Sequence, residues 1–187
     1  MTRALLVIDM QRAFDDLDYW GATTNPDCEH NVGALIEAWT AADEPIVVVR
    51  HDSTSPHSPL HPDNSGNELV DAVAAVSPAL FVTKSVNSAF YGDPDLQAWL
   101  GERGIRELVL CGIQTNMCVE TTARMAGNLG YDVTVALDAT RTFDLTADVA
   151  GLGRVTRSAS ELMATTALVL QAGGFATIAS TAELVAR

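Results

Sequence analysis

The chain has 187 residues, 48% of them hydrophobic, with 24 acidic against 11 basic side chains and a formal net charge of −13. That is enough apolar material for a full core, and one domain over residues 1–187 is the expectation. An acid excess of this size argues against nucleic acid or an anionic membrane surface as a partner, because both reward basic patches.

Three cysteines, Cys28, Cys111 and Cys118, with no C-x-x-C spacing suggest neither a disulfide framework nor a zinc knuckle. No apolar run approaches the roughly 18 residues that span a bilayer, and the first residues run straight into an apolar strand without a signal core. A soluble, cytoplasmic protein is expected.

Residues 4–8 form a continuous apolar run, the pattern of a strand buried on both faces of a parallel sheet, and the run ends at Asp9. A carboxylate at the C-terminal end of such a strand lies where open α/β folds place their ligands. Gln11, Phe14 and Trp20 follow in a loop, suited either to lining a pocket or to covering the sheet end. Val32, Leu35, Ile36 and Trp39 then recur at helical spacing.

A second strand at 46–49 leads into Arg50, His51 and Asp52. Residues 53–66, rich in Ser, Pro, His and Asn, read as a long loop, and loops of that length in compact domains are usually functional or mobile. His51, Asp52, His57 and His61 could hold a metal only if they converged at about 2 Å, which a proline-containing loop does not promise. Solvated histidines without a metal are the expectation there.

A third strand at 79–83 terminates in Lys84, and Leu96, Trp99 and Leu100 make an apolar stripe on a helix over 94–103. The next stretch carries most of the information. Leu108, Val109 and Leu110 read as a fourth strand, Gly112 breaks it, and good helix formers resume after Asn116. Thr115 and Asn116 can cap a helix N-terminus, which would place Cys118 among unpaired backbone N–H groups and favour its thiolate. Taken by itself, a free Cys in an apolar stretch is more often a small buried hydrophobe, and Cys111 inside the strand fits that description.

A fifth strand at 133–137 precedes a polar, glycine-containing loop. A helix over 158–171, a sixth strand at 176–178 and a helix from Thr181 follow. Alternating strands and helices call for a three-layer α/β fold, a mostly parallel six-stranded sheet with helices on both faces.

Asp9, Lys84 and Cys118 come from three strand ends and form a coherent acyl-transfer set. Asp9 is the candidate base for the thiol, Cys118 the nucleophile, and Lys84 a cation between them. Backbone N–H groups at the sharp 112–114 turn are placed to meet an oxyanion. Gln11, Phe14, Trp20, Arg50, Ser88, Phe90, Tyr91 and Asn116 are candidate pocket residues. Arg50 is the one that could bind a substrate carboxylate, or else pair with a neighbouring acid.

Three motifs, Leu-Val-Ile-Asp-Met-Gln at 6–11, Lys-Ser-Val-Asn-Ser-Ala-Phe at 84–90 and Cys-Gly-Ile-Gln-Thr-Asn-Met-Cys-Val at 111–119, together resemble the isochorismatase-like cysteine hydrolases. That superfamily includes nicotinamidases and N-carbamoylsarcosine amidases. The resemblance implies the six-stranded fold, an Asp9-Lys84-Cys118 triad, a non-proline cis peptide between Ile113 and Gln114, and an oxyanion hole from the N–H groups of Gln114 and Cys118. It further implies a small-molecule amide or ureido substrate, no cofactor, and a homo-oligomer, a dimer or tetramer.

Metal-dependent nicotinamidases carry an Asp-x-His pair after the second strand; here the segment reads His51-Asp52-Ser53, which argues against that branch and against a metal. True isochorismatases, which hydrolyse a vinyl ether, lack the nucleophilic Cys. The reading is therefore a metal-independent cysteine amidohydrolase that cleaves a C–N bond through a thioester. The alternatives are a vinyl-ether hydrolase with Cys118 as bystander, or a binding or assembly domain that keeps the fold without catalysis.

Overall fold

The computed structural model describes residues 3–186. In chain order the elements are β1 (Arg3–Ile8), α1 (Leu17–Trp20), α2 (Cys28–Ala41), β2 (Ile46–His51), α3 (Asp71–Ala74), β3 (Leu80–Lys84) and α4 (Leu96–Glu102). There follow β4 (Glu107–Ile113), α5 (Glu120–Asn128), β5 (Asp132–Arg141), β6 (Leu145–Val149), β7 (Gly153–Arg157), α6 (Ala159–Ala172), β8 (Thr177–Ala179) and α7 (Thr181–Val185). No described helix is long and apolar enough to cross a membrane.

Six strands make one all-parallel sheet in the order β3-β2-β1-β4-β5-β8. The alternation of side chains along each strand divides the core in two. Leu6, Ile8, Val47, Val49, Leu108 and Leu110 face the layer that contains α4, α5 and α6. Leu5, Val7, Ile46, Val48, Val109 and Cys111 face the layer of α2 and α7. Burial on both faces is why these strands read as unbroken apolar runs. Cys111 is a fully buried apolar neighbour of β1, its thiol 3.7 Å from the Leu6 carbonyl.

The chain runs from β1 outward through β2 to β3, then returns to the other side of β1 for β4, so the strand order reverses between β1 and β4. The crevice at such a reversal is where open α/β sheets bind ligands. Gly112 lets the two strands meet there. It pairs with Ile8, has φ +117°, and a Cβ at this position would lie 1.9 Å from the Ile8 carbonyl oxygen. Any side chain would push β4 away from β1 just where the functional residues emerge.

Two regions depart from the sequence reading. β5 continues to Arg141, four residues past the expected end, and the polar loop after it is the antiparallel hairpin β6–β7, both strands almost wholly solvent-exposed. A strand with neither face buried carries no apolar alternation, so the pattern gave no sign of it. The expected cap of the helix after Asn116 is also different. Residues Thr115–Val119 form a π-helical turn without a side-chain cap; Thr115 Oγ1 bonds Thr140 Oγ1 at 2.8 Å, and Asn116 Oδ1 accepts from the Thr142 hydroxyl. By contrast, Ser158 caps α6 with a reciprocal Glu161 contact, a capping box that fixes the start of that helix.

Candidate active site

Four adjacent strands each deliver one polar group to the C-terminal edge of the sheet. β1 hands off to Asp9, which has φ 50° and is held by its N–H on the Val49 carbonyl at 2.9 Å. β2 ends in His51 and β3 in Lys84, the two being paired in register. After β4, the cis Ile113–Gln114 peptide leads into the turn that carries Cys118.

The side chains of Asp9 and Lys84 are fully buried. Lys84 Nζ stands 2.6 Å from Asp9 Oδ2, 3.4 Å from Cys118 Sγ and 3.2 Å from His51 Nδ1. Asp9 Oδ1 is buried with no hydrogen-bond partner among the described residues. Sequence reasoning placed Asp9, Lys84 and Cys118 at one rim, and the fold brings them into contact. His51, expected among the solvated loop histidines, differs: β2 runs two residues past its expected end and delivers His51 as its last residue.

Burial, and then the neighbouring Asp9 carboxylate, push the Cys118 thiol up to about 12, while Lys84 opposes the rise. The lowered thiol pKa expected from a helix N-terminus does not hold here: Cys118 is 8% exposed and stands beside an anion, and desolvation is the largest influence on the thiol. The resting site thus holds a thiol. For His51, burial and the Lys84 charge push the imidazole below its ordinary value, so the ring is neutral.

One donor atom from each of Asp9, His51 and Cys118 lies within 4.8 Å of the other two, a mixed O, N and S set of the kind zinc accepts. Their point of convergence, however, is taken by the Lys84 ammonium. A divalent cation would have to displace a buried positive charge, so the residues do not fit a resident metal.

Above this group opens a cavity of about 260 Å³, lined by Asp9, His51, Asn87, Gln114, Met117 and Cys118 on the polar side. Phe14, Trp20, Ser58, Leu60, Phe143 and Leu145 complete it. Phe14, Trp20 and Phe143 form one aromatic cluster with ring centroids 4.9, 5.9 and 5.7 Å apart. The 53–66 loop, through Ser58 and Leu60, is a wall of this cavity. Larger surface hollows exist, such as one of about 600 Å³ between Ile36, Thr40, Ala72 and Val76, but Asp9, His51, Lys84 and Cys118 line none of them.

Phe14 and Trp20 line the cavity as the sequence suggested; the other pocket candidates do not, each for a visible reason. Gln11 donates to the His51 and Asn67 carbonyls at 3.0 and 2.9 Å and accepts from the His51 N–H at 2.9 Å, so its amide clamps the end of β2. Arg50 grips Asp52 with two bonds of 2.8 and 2.9 Å. Ser88 is buried against Met125 and accepts from the Phe90 N–H, and Phe90 packs in the core with its ring 5.7 Å from that of Tyr131. Tyr91 is 72% exposed on the surface, and Asn116 is engaged by Thr142. Phe143 and Leu145 were missed because they border the hairpin that the pattern concealed; Asn87 and Met117, inside two of the recognised motifs, could have been found there.

Comparison with known proteins agrees with this geometry. The Isochorismatase domain family matches residues 3–167. The isochorismatase family protein YrdC of Bacillus subtilis is 37% identical over 143 residues, 76% of this chain and 75% of that protein. Nicotinamidase 3 of Arabidopsis thaliana is 33% identical over 154 residues, 75% of this chain and 74% of that protein. A crystal structure of an isochorismatase-family protein from Chromobacterium violaceum superposes with a TM-score of 0.89 at 36% identity, covering 99% of this chain and 92% of that one.

Proposed function

The chain belongs to the isochorismatase family of hydrolases, and from that premise we propose that it is a metal-independent cysteine hydrolase cleaving the C–N bond of a small amide or N-carbamoyl compound. The observation that carries the reading is the Lys84 ammonium, buried beneath the cavity 2.6 Å from the Asp9 carboxylate and 3.4 Å from the Cys118 sulfur. Arabidopsis nicotinamidase 3, by its name an amide hydrolase, lends support from outside.

Because the thiol sits at about 12, the thiolate forms during attack rather than before it. Asp9 takes the thiol proton as the sulfur adds to the carbonyl carbon, and Lys84 offsets the charge on sulfur. The oxyanion is met by the N–H groups of Gln114 and Cys118. The protonated Asp9 then gives its proton to the departing nitrogen, leaving a thioester. A water attacks that thioester, Asp9 takes the water's proton, and collapse of the second tetrahedral species returns it to sulfur with release of the acid.

Among the described residues that line the cavity there is no arginine, and Arg50 is held by Asp52. A substrate carboxylate would find no guanidinium fork, so neutral amides suit the site better than ureido acids. The vinyl-ether reading draws on one observation, the raised thiol, which is what a bystander cysteine would show. Ammonia release across a panel of small amides and ureido acids, with wild type beside Cys118→Ala, decides between them. Hydrolysis that survives in Cys118→Ala would end the thioester mechanism.

A further inference from the structure

A lysine ammonium has three N–H donors and no acceptor. Here three acceptors surround it: Asp9 Oδ2 at 2.6 Å, His51 Nδ1 at 3.2 Å and Cys118 Sγ at 3.4 Å. One comes from β1, one from the end of β2 and one from the turn after β4, while Lys84 ends β3. The arrangement is a tripod with the ammonium at its apex. Asp9 and Cys118 are accounted for by the proposed reaction, and His51 is not.

We infer that His51 is a positioning residue, the third leg that fixes the Lys84 ammonium between the acid and the thiol, accepting through an unprotonated Nδ1 with its proton kept on Nε2.

Several features support this. The backbone from which the ring projects is fixed, since the His51 N–H and carbonyl are both held by Gln11, and the carbonyl also accepts from Asn67 Nδ2 at 3.0 Å. The facing charges are Asp9 from β1, Lys84 from β3 and Asp52 beside it on the chain, with the Cys118 thiol across the site. Of these, Lys84 is the group in hydrogen-bond contact, so a proton on Nδ1 would set two donors against each other. Without the third leg the ammonium keeps its ion pair with Asp9 but gains freedom to swing away from sulfur. The link to turnover rests on the cysteine mechanism proposed above; the tautomer and the tripod do not.

The test uses the whole protein and needs no substrate. Ring nitrogen NMR, with His51 assigned through its backbone, should show a neutral imidazole carrying its proton on Nε2 at pH 7. A proton on Nδ1, or an imidazolium at that pH, overturns the inference. Alkylation of Cys118 by iodoacetamide, read on its own peptide by mass spectrometry, should slow about tenfold in His51→Ala, the size expected for one hydrogen bond to a charged group. His51→Asn, whose Oδ1 can accept from Lys84, should recover most of the rate. An unchanged or faster rate in His51→Ala, or no recovery in His51→Asn with its fold intact by circular dichroism, also overturns it. Amide hydrolysis persisting in Cys118→Ala would sink the cysteine mechanism alone, leaving the tautomer as stated.

Discussion

The floor and the wall of the cavity are built from different kinds of chain. The floor consists of Asp9, His51, Lys84 and Cys118, placed by four neighbouring strands whose register is set by core packing on both faces of the sheet. The wall consists of Phe14, Trp20, Leu60, Phe143 and Leu145, supplied by segments between the sheet strands: connections, the last residue of the short helix α1 and the first residue of an exposed hairpin. The contrast assigns chemistry to the floor, where groups are positioned by the paired strands of the sheet, and selectivity to the wall, where connections tolerate change.

If that division is right, substitutions in the floor act on turnover and those in the wall act on binding. The largest effect belongs to Cys118→Ser, which should lower kcat by on the order of a thousandfold or more, with thermal unfolding little changed because the two side chains are nearly isosteric. Residual turnover within tenfold of wild type would show that the sulfur is not the nucleophile.

Asp9→Asn comes next and acts twice. It removes the base and leaves the Lys84 ammonium buried without a carboxylate, a loss of about 3–5 kcal/mol measurable by chemical denaturation. The sign at the thiol is opposite to the sign on turnover. Asp9 raises the Cys118 pKa and Lys84 lowers it, so Asp9→Asn should shift the alkylation profile of Cys118 to lower pH and Lys84→Ala should shift it to higher pH. Profiles of both variants moving in one direction would break the electrostatic picture of the floor.

The same division explains how much of the molecule was legible in the sequence. A strand buried on both faces announces itself as an apolar run whose end can be named, which points to Asp9; Lys84 closes the shorter apolar run of an edge strand, and Cys118 is legible from the glycine break and helix start after β4. His51 escaped because the apolar run of β2 stops at Val49, whereas the Arg50 guanidinium is paired with Asp52 and the strand continues through it to His51. The raised thiol escaped because a helix N-terminus can be read from sequence while burial beside an anion cannot. For the wall, Phe14 and Trp20 stood near a recognisable strand end, but Phe143 and Leu145 approach them only through long-range folding. Arg50, Ser88, Phe90 and Tyr91 have polar or aromatic character, which says what a side chain could bind and not which way it points.

In the wall, Trp20→Ala should raise KM about tenfold while changing kcat less than about threefold, because it deletes aromatic surface without touching the acid or the thiol. A fall in kcat at constant KM would mean that the wall also sets reaction geometry, and the division between chemistry and selectivity would fail. The smallest effect is assigned to Arg50→Ala. Its guanidinium is engaged twice by Asp52 and lies outside the cavity lining, so KM and kcat should each stay within about twofold, the scale of a partly exposed ion pair. A KM that rises tenfold for anionic substrates and not for neutral ones would instead show that Arg50 leaves Asp52 to bind a carboxylate, which would move the substrate class from neutral amides to ureido acids.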